Sequence, residues 1–420
     1  MLKVEIQTGE IPDLFARFKE VIGERCWLKR VMSIKNEIRG FPFLKDHLVE
    51  ENSIAFALDR CSDFITRYGR IPTNEIENRD LYPAISLAAQ VLSIMEHSSV
   101  LEAKKLVLRI RGSFNNPDDM RAIQLEIMAA THFVHRGHQI VWPGMEGIGT
   151  FDLLVQDLGT NGLEIECKSV SENKGRKIHR REALEFHHLV KPQLQIFSQH
   201  LQTGVAVVLT VPGRLPTSFQ QKMDLAKQVK NSVLAAKSTT LKDGSDIRVL
   251  EFDIAKLGVI WKDGRPVISR EAIDQITATK NREAMILGNK EGAIIFALQS
   301  RQDDTMLEYV FNTLSESAKK QFSKSRPALF LVDFQSVEAA NLLDIAMQDN
   351  DPKQLPSALR LGVSNFLANQ DRDHVVGVGF ISGGAIKTEQ HGVVKNSSTA
   401  YVFPKKESNF WHEDFSGLFS

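Results

Sequence analysis

The stretch LEIECKS, residues 163–169, restricts the local fold more tightly than any other part of the chain. Three apolar residues alternate there with three charged ones: Leu163, Ile165 and Cys167 with Glu164, Glu166 and Lys168. This period of two predicts a β-strand that turns one set of side chains toward a core. The other face then carries two carboxylates and an ammonium group, which is either a solvated, salt-bridged surface or part of a metal-dependent active site.

A run of periodic segments surrounds this strand. Residues 117–136 have helical apolar spacing, with Asn116 as the N-cap, Pro117 at the first helical position and Gly137 as the terminator. The segments that follow are the strands HQIVWP, FDLLVQD and LEIECKS, the helical pattern HRREALEFHHLVKPQLQIFSQHL and the apolar strand VAVVLTV. The sequence therefore predicts the order helix, three strands, helix, strand between residue 117 and about residue 211.

The length of the chain predicts more than one domain. Its 420 residues exceed what a single hydrophobic core usually holds. Residues 1–112 show helical spacing and predict a helical N-terminal region. Residues 113–215 form the predicted central core, which could extend to about residue 290, and residues 290–420 mix strand and helix patterns. The predicted fold class is therefore mixed α/β, with a C-terminal α/β region after the core.

The composition is that of a globular protein and argues against several other classes of protein. Apolar residues make up 42% and charged residues 25% of the chain, as in a globular protein, and 52 basic residues balance 52 acidic ones, which argues against a histone-like binder. Cys26, Cys61 and Cys167 are far apart and form no CxxC pair, which argues against a disulfide framework or structural zinc. The N-terminus is charged and no apolar run approaches ~20 residues, so we expect a cytoplasmic protein without a membrane span.

Two further carboxylates belong with the LEIECKS strand. Asp152 lies in the preceding apolar strand, so a hairpin between the two strands would bring it near Glu166. Carboxylates a few ångströms apart repel each other unless a cation lies between them, and Mg²⁺ or Mn²⁺ shared with a substrate phosphate suits such oxygen ligands. Lys168 could then stabilise charge in the transition state. Glu126, at the edge of the buried face of helix 117–136, is a third candidate acid, either as a ligand or as a support for a metal-bound water.

The pattern of Glu126, Asp152 and the ECK triplet resembles the PD-(D/E)xK, or restriction-endonuclease-like, nuclease superfamily, whose core is ordered helix, three strands, helix, strand. The resemblance covers about a hundred residues and departs from the motif at Phe151, where the family commonly has proline. It implies an α-β-β-β-α-β core and Mg²⁺- or Mn²⁺-dependent hydrolysis of phosphodiester bonds, most readily in DNA, in restriction, defence or repair. Asp152 and Glu166 would hold the metal, Lys168 would be the catalytic lysine, and Glu126 the acid on the helix.

The resemblance also implies partners and further residues. Some members carry a functional Gln in the helix after the lysine, for which Gln193 and Gln195 are equal candidates. Many such nucleases act as homodimers, and the flanking regions could bind a protein partner. A basic run directly follows the strand and is expected to contact nucleic acid: Lys174, Arg176, Lys177, Arg180 and Arg181. Two alternatives remain open, namely a nucleic-acid-binding protein with an inactive nuclease-like core and a protein-interaction scaffold with a charged strand face.

Overall fold

A computed structural model of the chain divides into two compact units. The first unit consists of Met1–Arg39, Leu48–Lys174 and Leu307–Ser420, and the second of Gly40–His47 and Gly175–Met306. The structure describes residues 6–72, 75, 81–147, 149–198, 201–258, 260–262, 265–280, 282–288, 291–334, 337, 339–382, 386–388, 393–396 and 399–418.

Helices follow one another from Ile11 to His135, and strands and helices are interspersed in the rest of the described chain. The α-helices are α1 (Ile11–Ile22), α2 (Arg25–Gly40), α3 (Lys45–Glu51), α4 (Ser53–Tyr68), α5 (Tyr82–Glu96), α6 (Val100–Ser113), α7 (Pro117–His135), α8 (Pro143–Glu146), α9 (Arg180–Ser198), α10 (Phe219–Leu234), α11 (Arg270–Thr277), α12 (Met306–Lys320), α13 (Ala339–Asn350) and α14 (Ala358–Leu367). The strands are β1 (Ile6–Gln7), β2 (Ile140–Val141), β3 (Leu153–Val155), β4 (Leu163–Val170), β5 (Gly204–Val211), β6 (Thr239–Thr240), β7 (Asp246–Phe252), β8 (Ile260–Lys262), β9 (Arg265–Val267), β10 (Glu283–Gly288), β11 (Ala293–Ser300), β12 (Ala328–Phe334), β13 (Val375–Ser382), β14 (Ile386–Thr388), β15 (Val393–Asn396) and β16 (Thr399–Pro404). The mixed α/β class predicted from the sequence is confirmed.

Helix α7 begins and ends where its sequence predicts. The side-chain oxygen of Asn116 accepts a hydrogen bond from the backbone N–H of Asp118 at 3.0 Å, and Pro117 occupies the first helical position. After the helix, Gly137 has φ of +91°, a left-handed conformation that favours glycine. These local signals place Glu126 near the middle of a helix of 19 residues.

The first unit contains a six-stranded mixed sheet in the order β16, β13, β12, β4, β3, β2. β4 is a central strand, antiparallel to β3 on one side and parallel to β12 on the other, where Phe330 lies opposite Glu166. Because β4 has neighbours on both edges and both of its faces are covered, Glu164 and Glu166 are buried with 0% and 1% exposure. The period of two indicated the strand correctly, whereas its charged face is not solvated.

The N-terminal helices share one core with this sheet. Phe18, Trp27 and Ile85 belong to the same buried apolar cluster as Phe133 of α7 and Ile165 of β4. Residues 1–112 are mainly helical, as predicted, and all of this region except Gly40–His47 belongs to the first unit. Helices α5 and α6 pack against α7, and α7 in turn packs against β4.

The second unit has its own sheet and core. Its five strands lie in the order β10, β11, β5, β7, β6, with β11 and β5 parallel and the other pairs antiparallel. Phe186 of α9 packs in a buried cluster with Val207 of β5 and Phe296 of β11. The hairpin of β8 and β9 belongs to the same unit.

The strand VAVVLTV, the last element of the core expected from the sequence, does not join the sheet of β4. This strand is β5, which pairs with β11 and β7 in the second unit, and the parallel neighbour of β4 is β12. The bounds of the two compact units fall after residues 39, 47, 174 and 306, and the domain limits near residues 112, 215 and 290 stay predictions from the sequence. VAVVLTV and the β12 segment are both apolar runs that follow a helical pattern, so local periodicity could not decide which of them pairs with β4. None of the helices in the described ranges is long and apolar enough to cross a membrane.

Candidate active site

The ammonium group of Lys168 lies between two side chains of the first unit. Its Nζ atom is 2.5 Å from Glu166 Oε1 and 3.1 Å from the amide oxygen of Gln321, to which it donates a hydrogen bond. Glu166 and Lys168 are two positions apart on β4, so they project from the same face of the strand. The Lys168 side chain is 21% exposed and that of Glu166 only 1%, so the pair opens toward solvent at its lysine end.

Asp152 approaches the backbone of β4 between these two side chains. It precedes β3, and its backbone N–H donates to the carbonyl of Ile165 at 3.1 Å. Its Oδ2 atom accepts a hydrogen bond from the backbone N–H of Cys167 at 2.8 Å. The hairpin of β3 and β4 therefore brings Asp152 beside Glu166 and Lys168, as the sequence predicted.

Glu126 joins the group from α7, paired with an arginine. The Nη2 atom of Arg109, on α6, lies 2.8 Å and 2.7 Å from the two carboxylate oxygens of Glu126. Glu126 is 5% exposed, while the Arg109 side chain is 42% exposed. The sequence did not indicate a role for Arg109, because nothing in the pattern of its helix distinguishes it from a surface arginine.

The three carboxylates influence one another electrostatically. Burial raises the pKa of Glu166 to about 8 and that of Glu126 to about 7, and in both cases the negative charge of Asp152 adds to the rise. Burial also raises the pKa of Asp152, although the N–H of Cys167 and the charge of Lys168 oppose that rise. Three acids that resist ionisation together in this way create a site that favours added positive charge.

The residues present fit a hydrated Mg²⁺ or Mn²⁺ ion. Glu166 Oε2 is buried and has no hydrogen-bond partner among the described residues, although its other oxygen binds Lys168. Within the described ranges no three His, Cys, Asp or Glu side chains form a ready-made metal cage. Mg²⁺ commonly needs only one or two carboxylates because it retains several waters and shares substrate phosphate oxygens. Asp152 and Glu166 would be those two ligands, and Glu126 would support a metal-bound water.

The segment that carries Gln321 is fastened at two points. The buried carboxylate of Glu164 accepts hydrogen bonds from the backbone N–H of Ser323 at 2.9 Å and from its hydroxyl at 2.5 Å, and Arg326 lies 3.6 Å away. The Thr150 hydroxyl donates to the carbonyl of Gln321 at 2.8 Å. Glu164 is thus not solvated, and it does not join Asp152 and Glu166 beside Lys168. It holds the segment between α12 and β12 in place.

The glutamine that contacts Lys168 in the structure is Gln321. Gln193 and Gln195, the residues suggested by the sequence, lie on α9 of the second unit. Gln321 follows α12, the helix that precedes β12. The sequence could not predict this contact because Gln321 is 153 positions from Lys168, with the second unit between them.

The predicted basic run is divided between the two units. Lys174 ends a segment of the first unit and has its Nζ 5.6 Å from the ring centre of Tyr309. Arg176, Lys177, Arg180 and Arg181 belong to the second unit. Arg176 pairs with Glu283 at 2.9 Å and with Asp304 at 3.7 Å, and Arg181 pairs with Glu185 at 3.3 Å. Arg176 is thus engaged in structural ion pairs, and contact of this run with nucleic acid stays a prediction.

Comparison of the chain with protein-family models, with curated proteins and with solved structures gives no match. The candidate site is therefore defined by its own residues: Glu126, Asp152, Glu166, Lys168 and, added by the structure, Arg109 and Gln321.

Proposed function

We propose that this chain is a Mg²⁺-dependent nuclease that hydrolyses phosphodiester bonds, with DNA as the expected substrate. The observation that carries the proposal is the meeting of Asp152, Glu166 and Lys168 on the β3–β4 hairpin, with an oxygen of Glu166 buried and unpartnered among the described residues. A structural ion pair between Glu166 and Lys168 would not call for a second carboxylate beside it, since adding Asp152 raises the cost of burying the acids.

The order of elements around the site supports the resemblance to the PD-(D/E)xK superfamily. In the first unit the chain runs α7, β2, β3, β4, then α12 and β12, with β12 parallel to β4. This is the helix, three strands, helix, strand order of that superfamily, interrupted after β4 by residues 175–306 of the second unit. The proposed core therefore contains a large insertion in place of the continuous run expected from the sequence.

The residues divide the chemistry among them. Asp152 and Glu166 would hold Mg²⁺, which when bound supplies Lewis-acid polarisation of the scissile phosphate and a more acidic water. Lys168, held by Gln321, would place its positive charge beside the attacking water and the negative charge that develops on phosphorus-bound oxygens. Glu126, neutralised by Arg109, would orient waters at the metal. Hydrolysis then joins a water oxygen to phosphorus and releases one ester oxygen as a hydroxyl group.

A cleavage assay with matched variants tests the proposal. Supercoiled plasmid, linear duplex DNA, single-stranded DNA and RNA would each be incubated with the protein in Mg²⁺, Mn²⁺ or EDTA. We expect metal-dependent cleavage that Asp152→Ala and Lys168→Ala abolish and that Glu316→Gln preserves, because Glu316 is an exposed carboxylate that pairs with Lys320 at the end of α12. Full activity in either alanine variant, with the fold intact by circular dichroism, would show that these residues do not carry the chemistry.

Binding without cleavage would favour the inactive nucleic-acid-binding alternative. Absence of both binding and cleavage on every substrate, together with no Mg²⁺ binding by calorimetry, would favour the interaction scaffold. The two alternatives therefore separate from the nuclease in the same set of experiments.

A further inference from the structure

The second unit carries a positive charge that the composition of the whole chain conceals. Its two segments, Gly40–His47 and Gly175–Met306, contain 21 Lys and Arg residues against 15 Asp and Glu, a formal charge of +6 with His neutral. Because the whole chain is formally neutral, the first unit carries the opposite charge. The excess is concentrated in residues 176–248, which contain twelve basic and five acidic residues. A charge asymmetry of this kind between parts of one chain is typical of proteins that bind nucleic acid or membranes.

The five acidic side chains of this stretch are all engaged within the second unit. Glu182 accepts from the N–H of His179, Glu185 pairs with Arg181 and Lys222, Asp224 with Lys227, Asp243 accepts from Ser245, and Asp246 pairs with Arg301. The remaining cations in the stretch are therefore not neutralised by these acids.

Four of the remaining cations form what we call the basic edge: Arg214, Lys230, Lys237 and Lys242. Arg214, Lys237 and Lys242 are exposed and Lys230 is half-buried. Among the described residues, none of these four side chains has a hydrogen-bond or ion-pair partner. Asp243 is the acidic neighbour in sequence, and its carboxylate is held by the N–H and hydroxyl of Ser245 at 2.9 Å and 3.1 Å. The basic edge therefore offers unpaired charge to a ligand.

Three of the four residues of the basic edge are lysines that lie close in sequence to β6, the edge strand of the second sheet. β6 is the last strand in the order of the second sheet, and Lys237 and Lys242 lie just before and just after it. The backbone N–H of Lys237 donates to the carbonyl of Ser232, in the last turn of α10, at 3.1 Å. Lys230 lies in the final part of the same helix. The end of α10 and the two ends of β6 thus carry a short series of lysines.

Arg214 joins this series at one end of the sheet. Asp246, at the start of β7, is opposite Thr210, near the end of β5, so the turn before β7 and the loop after β5 lie at the same end. Pro212 lies beside Gly244 of that turn. Lys242 is in this turn and Arg214 is in the loop, so the two side chains lie at the same end of the second sheet.

We propose that the basic edge binds the sugar–phosphate backbone of a nucleic acid. The inference rests on the proposed function and names the surface that would hold the substrate. Unpaired lysine and arginine side chains release counterions from phosphates and bind without reading base sequence. This surface differs from the basic run expected from the sequence, in which Arg176 and Arg181 are already paired with acids.

A binding experiment in EDTA tests the basic edge independently of catalysis. The full-length protein and the variant Arg214→Gln, Lys230→Gln, Lys237→Gln, Lys242→Gln would be titrated against a fluorescein-labelled 20-base-pair duplex and a 20-nucleotide single strand at several KCl concentrations. The control has the same change of charge at exposed lysines of the first unit: Lys29→Gln, Lys104→Gln, Lys353→Gln and Lys406→Gln. Circular dichroism and thermal melting would verify that both variants are folded.

We expect the basic-edge variant to bind about tenfold more weakly or worse near 0.1 M salt, with its slope of log affinity against log salt reduced by about three to four. The control should keep the wild-type slope. Equal slopes in the basic-edge variant and the wild type would overturn the inference while leaving the cleavage assay to decide the proposed function. Aggregation of the variant with unchanged binding would also overturn it, because the lysines would then only protect an edge strand. No binding by the wild type to either nucleic acid would overturn it as well.

Discussion

The ammonium group of Lys168 donates a hydrogen bond to the side-chain oxygen of Gln321 at 3.1 Å, across 153 positions of sequence. Residues 175–306, which belong to the second unit, lie between them in the chain. The lysine of the ECK triplet is thus oriented by a residue that the chain reaches only after a complete second unit. Gln321 restricts the rotation of a flexible side chain at its charged end, so we expect it to position Lys168 for reaction.

Removing this hydrogen bond should slow cleavage. We expect Gln321→Leu to lower kcat about 10- to 100-fold with little change in KM, because a bond to a charged group is lost without changing the ligands of the metal. Steady-state cleavage of a labelled duplex would measure both constants. Gln354→Leu, which changes an exposed glutamine of the first unit, is the control and should leave kcat unchanged. A normal kcat in Gln321→Leu would mean that Lys168 needs no positioning.

The anchor beneath that segment should matter for stability. Glu164 is fully buried and accepts hydrogen bonds from the N–H and hydroxyl of Ser323. We expect Glu164→Leu to lower the free energy of unfolding by about 1–3 kcal/mol or more, because Ser323 and Arg326 would lose a buried charged partner. Ser323→Ala removes only one of these bonds and should cost about 1 kcal/mol. Urea denaturation would measure both; a Glu164→Leu protein as stable as the wild type would contradict the anchoring role.

In the absence of metal, Glu166 should make the protein less stable as pH rises. Its folded-state pKa is raised to about 8, above the ordinary value of 4.5, because it is buried near Asp152. Between these two values the folded chain holds more protons than the unfolded chain, so the free energy of unfolding falls with increasing pH. We expect the urea midpoint in EDTA to fall between about pH 5 and pH 8, and Glu166→Gln to reduce that fall. Parallel pH profiles for the two proteins would refute the assignment.

Binding of Mg²⁺ should release protons near neutral pH. Burial and the charge of Asp152 raise the pKa of Glu126 to about 7 and that of Glu166 to about 8, so both carboxyls are partly protonated there. An ion at Asp152 and Glu166 favours their charged forms and lowers these pKa values. Calorimetry at pH 7 in buffers with different ionisation enthalpies would give the number of protons released. We expect release that disappears with Asp152→Asn; binding without any release would place the metal elsewhere.

The sequence by itself determined the local elements and the acidic group. The alternation around Glu166 indicated β4, and the capping residues Asn116 and Pro117 indicated α7, because these signals come from neighbouring residues. The short connection between two strands was enough to bring Asp152 to Glu166. Local patterns thus sufficed for every side chain of the candidate site that lies on α7, on β4 or directly before β3.

Only the tertiary structure decided the rest. Which apolar strand lies beside β4 depends on pairing across the sheet, and β5 and β12 are too similar in local pattern for the sequence to separate them. Because β12 pairs with β4, the second helix and the last strand of the proposed core are α12 and β12, which begin at Met306 and Ala328. The segment between them places Gln321 beside Lys168. The tertiary structure also buried both faces of β4, so that Glu164 became an anchor. Contacts of this kind join residues far apart in the chain, and no periodicity within a segment records them.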